Sequence, residues 1–207
     1  MVGDQDWFDD KLRTCPVMAI LRGYSASDAL RLAHRAWDLG ITLVEIPIQT
    51  DTAVETLAAV ATAGRDRGAV VGAGTVLSPA QVADARDAGA VFTVSPGFDP
   101  DVVEASRAAG MPSLPGVATA TDIQLALRHG LRWVKAFPAS ALGEGWFAAM
   151  RGPFPQVSCV ATGGISAGNA ERFLDAGAAA VAVGSALEDP AQLDRLATIL
   201  AARRTGR

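Results

Sequence analysis

The sequence predicts an α/β protein: a single (β/α)8 TIM barrel with a short capping helix at its N-terminus. Three observations predict it. Seven segments end in glycine, at Gly40, Gly68, Gly89, Gly110, Gly130, Gly152 and Gly177, spaced by 28, 21, 21, 20, 22 and 25 residues. Each glycine follows an Ala-, Leu- or Arg-rich stretch and precedes a short apolar run, the pattern of a helix C-cap leading into a strand. One more apolar run, Pro16 to Leu21, comes before the first full helix and raises the strand count to eight. Eight units of about 25 residues close a compact barrel, whereas a doubly wound sheet of about five or six strands leaves two or three unused.

The elements follow in order. Asp4 to Leu12 carries Trp7, Phe8 and Leu12 on one helical face, which suits a plug under the barrel formed within residues 1–14. The strands after the first are Leu43 to Pro47, Val70 to Ala73, Val91 to Ser95, Ser113 to Pro115, Trp133 to Phe137, Val157 to Thr162 and Ala179 to Gly184. Helix starts are marked by Ser25 to Asp28, Ser78-Pro79, Asp99-Pro100, Thr119 to Asp122, Ser166 to Asn169 and Asp189-Pro190. These offer side-chain N-caps or a proline in the first turn.

Of 207 residues, 50% are hydrophobic and 19% charged, which excludes disorder and suits one domain over 1–207 with a sizeable core. The formal net charge is −4, so no basic footprint exists for nucleic acid or an anionic membrane. No run approaches the ~18 apolar residues of a membrane span, and a cytoplasmic enzyme is expected. Cys15 and Cys159 are distant and embedded in apolar sequence, so both read as reduced core thiols. His34 and His129 lie in no cluster with metal-ligand spacing, so no metal is expected.

In such a barrel, chemistry sits at the C-terminal ends of the strands. Strand alternation puts Trp133, Lys135 and Phe137 on one face of the sixth strand, and Leu43, Glu45 and Pro47 on one face of the second. Lys135 and Glu45 therefore both point inward. Lysine is rare here, Lys11 and Lys135 against 16 arginines. An ammonium between Val134 and Ala136 is expensive to bury, so the site favours a neutral amine able to attack a carbonyl. The alternative is a core ion pair or a snorkelling side chain. Glu45 is correspondingly either a general acid/base or a counter-ion. Thr162-Gly163-Gly164 and Gly184-Ser185 end the seventh and eighth strands, where backbone N–H groups can approach a phosphate; the alternative is a pair of tight turns. Gly72-Ala73-Gly74-Thr75 lacks the rest of a dinucleotide fingerprint and reads as a close-packed strand end presenting Thr75.

The strand ends Ile20-Leu21-Arg22-Gly23, Val44-Glu45-Ile46-Pro47, Gly72 to Val76, Val94 to Gly97, Pro115 to Thr119, Val134 to Pro138 and Thr162 to Ile165 match a known family in order and spacing. From Cys15 to Leu187 the chain resembles the class I 2-keto-3-deoxy-6-phosphogluconate/4-hydroxy-2-oxoglutarate aldolases. The resemblance implies a homotrimeric barrel that cleaves a 2-keto-3-deoxy-6-phospho sugar acid to pyruvate and glyceraldehyde 3-phosphate, with no cofactor beyond a covalent imine. It makes Lys135 the Schiff-base lysine and Glu45 the general acid/base. Arg22, Thr75, Pro96, Phe137 and Thr162 become substrate-binding, and Gly163, Gly164, Gly184 and Ser185 the phosphate cradle. Gln49, also at the substrate, stands where gluconate-specific members often carry Arg. The stretches Val44 to Gln49, Ala118 to Thr121 and Phe137 to Ser140 look more like the sister 6-phosphogalactonate aldolases, whereas Thr162 looks like the gluconate branch. A sugar-phosphate isomerase or synthase, or a non-catalytic phosphate-binding barrel, is a more distant reading that the fold alone does not separate.

Overall fold

The computed structural model describes residues 4–205. Eight parallel strands alternate with helices around one ring: Val17–Ile20, Leu43–Pro47, Val70–Gly74, Thr93–Val94, a split fifth strand, Trp133–Ala136, Ser158–Thr162 and Ala180–Val183. The fifth strand is two short segments, Ser113–Leu114 and Gly116–Val117. Hydrogen-bonded pairing runs from the fourth strand through the third, second and first to the eighth, seventh and sixth. The fifth closes the ring. Its first segment pairs with the fourth strand and its second with the sixth. Pro115, which has no N–H, interrupts the ladder, yet its carbonyl still accepts from Lys135 N–H at 2.8 Å.

The helices form where their ends are satisfied. Ser25, Thr50, Ser78, Asp99 and Thr119 each accept a backbone N–H at the start of Ala26–Asp38, Asp51–Asp66, Pro79–Asp87, Pro100–Ala108 and Ala120–Arg128. Six of the seven expected capping glycines, Gly40, Gly68, Gly89, Gly110, Gly130 and Gly177, have positive φ. Gly152 does not: its φ is −60°, and Phe154 N–H still reaches back to Met150 O at 3.0 Å. The Glu144–Arg151 helix thus unwinds through Gly152 instead of being capped there.

Two apolar layers share the strands. Val44, Ile46, Val134 and Ala136 face the surrounding helices, while Leu43, Phe92, Val94, Leu114, Trp133 and Val160 fill the barrel. Helix Asp4–Thr14 closes the N-terminal end, longer than expected by two residues. Phe8 and Leu12 are fully buried in the barrel cluster. The Phe8 ring stands 6.1 Å from Phe92 and 6.3 Å from Trp133, and Trp133 Nε1 donates to Asp9 at 3.1 Å.

Candidate active site

Strand alternation delivers Glu45 and Lys135 to the barrel interior. They are 0% and 2% exposed, with Lys135 Nζ 3.8 Å from Glu45 Oε1. Among the described residues neither Glu45 oxygen accepts a hydrogen bond. The carboxylate is therefore electrostatically matched but not tied down, and its lone pairs face the interior. Gly74 makes room for it. Third-strand residue Gly74 is opposite Pro47, and a methyl there would lie 2.0 Å from Glu45 Oε1. At Gly72 a methyl would lie 2.5 Å from the Phe92 ring. The glycine pair at this strand end thus serves close packing, as its sequence suggests. Thr75 follows with φ +56°, a left-handed conformation that is strained for a β-branched residue.

A cavity of about 480 Å³ opens at the C-terminal end of the barrel, lined by Ile20, Arg22, Tyr24, Phe137, Thr162, Gly163, Gly164, Ile165, Ala182 and Gly184. The Phe137 ring centroid lies 5.3 Å from Lys135 Nζ, connecting the cavity to the buried pair. At the seventh strand end, Gly163 and Gly164 have φ of +93° and +73°. Their turn is held by Ser140 N–H on Gly163 O at 3.0 Å and by Asn169 Nδ2 on Gly164 O at 2.9 Å. Asn169 Oδ1 also accepts Ser166 N–H at 2.8 Å. Asn169 therefore braces the turn instead of capping the Ala170–Asp175 helix through its side chain.

Arg22 and Gln49 meet directly: Arg22 Nη1 donates to Gln49 Oε1 at 2.8 Å. Two residues on, the Tyr24 hydroxyl donates to Glu188. Burial and that hydrogen bond push the tyrosine up to about 12. Pro96 faces a smaller neighbouring cavity of about 140 Å³ that shares Phe137. Asp122, beside it, accepts the N–H groups of Ala118 and Thr119 at 3.0 and 2.9 Å. Burial raises its pKa, but these bonds and the Thr119 hydroxyl outweigh burial and leave it lowered. The side chain of Ser185 lies outside the described residues.

Of the residues expected at the site, the structure brings Arg22, Phe137, Thr162, Gly163, Gly164 and Gly184 to one cavity, above Lys135 and Glu45. Thr75 and Pro96 flank it on other strand ends, and Gln49 reaches it through Arg22. Tyr24 and Asn169 were not anticipated. Tyr24 follows Arg22 in a loop at a C-terminal strand end, which was the available signal; Asn169 gives none beyond its helix-start position.

Comparison with known proteins decides the family. The model of the aldolase family described as "KDPG and KHG aldolase" matches residues 8–200. The chain belongs to the KDPG and KHG aldolase family. Membership makes it an aldolase, and so a lyase. A 2-dehydro-3-deoxy-phosphogluconate aldolase of Treponema pallidum is 39% identical over 166 residues, 80% of this chain and 77% of the relative. A 2-dehydro-3-deoxy-6-phosphogalactonate aldolase of Escherichia coli is 35% identical over 173 residues, 83% of this chain and 84% of the relative. The KDPG aldolase of Legionella pneumophila, solved with pyruvate captured as a covalent carbinolamine, superposes with a TM-score of 0.79 at 31% identity, covering 92% of this chain and 95% of that one.

Proposed function

We propose that this family member is a class I, metal-independent aldolase that cleaves 2-keto-3-deoxy-6-phosphogluconate to pyruvate and D-glyceraldehyde 3-phosphate, with 4-hydroxy-2-oxoglutarate as a second substrate. One observation carries the reading: a lysine and a carboxylate, both buried inside the barrel, stand 3.8 Å apart beneath a cavity of suitable size. The Lys135 amine adds to the C2 carbonyl, and loss of water leaves a protonated imine. Glu45 takes the C4 hydroxyl proton, directly or through water. The C3–C4 electron pair then moves into the imine, releasing the aldehyde and leaving an enamine. Protonation at C3 and hydrolysis return pyruvate and the free lysine. The covalent carbinolamine of pyruvate captured in the Legionella relative supports amine-based covalent chemistry for this chain as well.

In this reading Gly163, Gly164, Gly184 and Ser185 hold the 6-phosphate, and Thr75, Pro96, Phe137 and Thr162 shape the pocket. The whole chain, 1–207, acts as one barrel domain within a cytoplasmic homotrimer that serves the Entner–Doudoroff pathway, without nucleic-acid or membrane partners. Among the described residues, no helix is long and apolar enough to cross a membrane. The 6-phosphogalactonate epimer is the second reading, favoured by Gln49 and by the 35% identity to the E. coli galactonate enzyme.

Borohydride with pyruvate is expected to inactivate the enzyme and add mass to the Lys135 peptide. Lys135→Arg should be inert, since a guanidinium stays protonated. Labelling elsewhere rejects the mechanism. Pyruvate release from the two C4-epimeric phosphorylated substrates decides the epimer, and Thr162→Val should shift kcat/KM toward the galactonate form.

A further inference from the structure

The helix Pro79–Asp87 starts as a capping box would, with Ser78 as N-cap and a glutamine three residues on. The Ser78 hydroxyl accepts Gln81 N–H at 3.3 Å, the ordinary half of that motif. The returning half passes over Ser78. Gln81 Oε1 accepts instead from Leu77 N–H, one residue before the cap, at 2.7 Å. Its Nε2 donates to Ile48 O at 3.3 Å, just beyond the end of the second strand Leu43–Pro47. A glutamate would accept from Leu77 equally well, but only an amide both accepts from one backbone and donates to another. The half-buried Gln81 side chain is thus a bridge between the second and third strand ends.

The bridge closes a circuit. Ile48 N–H donates to Gly74 O at 2.9 Å, the chain runs from Gly74 through Thr75 and Val76 to Leu77, and Gln81 returns it to Ile48 O. Inside the circuit stands Thr75 at φ +56°, a conformation that a β-branched residue keeps only where its surroundings enforce it. Gly74, beside it, is the backbone that leaves Glu45 its space and bounds it, since a methyl there would lie 2.0 Å from Oε1. Among the described residues neither Glu45 oxygen accepts a hydrogen bond, so apart from the attraction of Lys135 the carboxylate is placed by shape. The shape is in turn fixed by the circuit. We infer that Gln81 is a positioning residue: by joining Leu77 N–H to Ile48 O it holds the Gly74–Thr75 backbone against Glu45 and so keeps the acid/base group in place beside Lys135. The inference rests on the aldolase reading given above. Lys135 comes from Trp133–Ala136, outside the circuit, so imine formation does not depend on Gln81.

The test measures kcat and KM for cleavage of 2-keto-3-deoxy-6-phosphogluconate, and borohydride trapping with pyruvate, in wild type, Gln81→Met and Gln81→Glu. Methionine keeps the length and loses both bonds; glutamate keeps the acceptor for Leu77 and loses the donor to Ile48. In Gln81→Met kcat should fall by about tenfold to a hundredfold, the scale of a catalytic group misplaced by ~1 Å, with KM little changed and the Lys135 adduct still trapped. Gln81→Glu should fall in the same direction by less, and it decides the matter alone if the methionine variant does not fold. The Glu45→Gln background separates positioning from general support of the fold. There Gln81→Met should cost almost no further kcat, because the group it positions is already gone. Unchanged kcat in either Gln81 variant, a loss confined to KM, trapping lost in step with turnover, or a full further loss in Glu45→Gln overturns the inference. Absence of trapping in wild type defeats the aldolase reading itself, whereas trapping in wild type with kcat unmoved by Gln81→Glu defeats only the role of Gln81.

Discussion

At the residue scale the Glu45 carboxylate depends on an atom that is missing. A methyl at Gly74 would lie 2.0 Å from Oε1, so Gly74→Ala must push the carboxylate away from Lys135. Turnover should fall about as far as in Glu45→Gln, within the ~10²- to 10⁴-fold span of acid/base catalysis, while the imine with pyruvate still forms. Full turnover in Gly74→Ala would mean that the carboxylate need not stand where it does. A second residue speaks to stability. Burial pushes the Cys159 thiol up to about 12 from its ordinary 9.0. The folded chain then keeps a proton that the unfolded chain releases, so this contribution is complete below about pH 9 and is lost as pH climbs toward 12. Urea unfolding between pH 7 and about 10.5 should show a steeper alkaline loss for wild type than for Cys159→Ala. Tyr24, raised in the same direction, is common to both proteins and drops out of the comparison.

At the scale of elements, the two turns proposed to seat phosphate differ in what they tolerate. Gly163 has φ +93°, and a methyl on Gly164 would lie 2.5 Å from Ser140, so substitutions in the seventh-strand turn mix binding with strain. Gly184 has neither problem: its added methyl would meet Ile20 O at 3.5 Å, an ordinary contact. Gly184→Ala should therefore raise KM for the phosphorylated substrate with little change in Tm; an unchanged KM would remove the eighth-strand turn from the phosphate seat. Element boundaries and facing were largely legible in the sequence. Period-two alternation put Glu45 and Lys135 inside, and their burial agrees. What was not legible depends on contacts between distant segments. The fifth strand is split because Pro115 withholds an N–H just where the ring closes. Gly152 lacks the left-handed turn because the chain after it stays bonded to Met150. The Arg22–Gln49 bond joins two loops whose approach only the closed barrel sets. Gly74 could be read as a close-packing glycine, but not as the one that gives Glu45 its space.

At the scale of the whole molecule, the helix Asp4–Thr14 seals one end of the barrel with Phe8 and Leu12, both buried, and the large cavity opens at the other end. Substrate enters and both products leave by the same mouth. In the proposed mechanism the fragment bonded to Lys135 sits at the bottom, and the aldehyde lies between it and solvent. Departure is therefore sequential, aldehyde first and pyruvate last. In steady-state cleavage, pyruvate should inhibit competitively against the sugar acid and the aldehyde noncompetitively. The reverse pattern would mean a second exit. A plug assembled from two side chains of one short helix thus becomes a rule of kinetic order: in the condensation direction pyruvate must load before the aldehyde arrives, and an aldehyde that enters first only blocks the shaft.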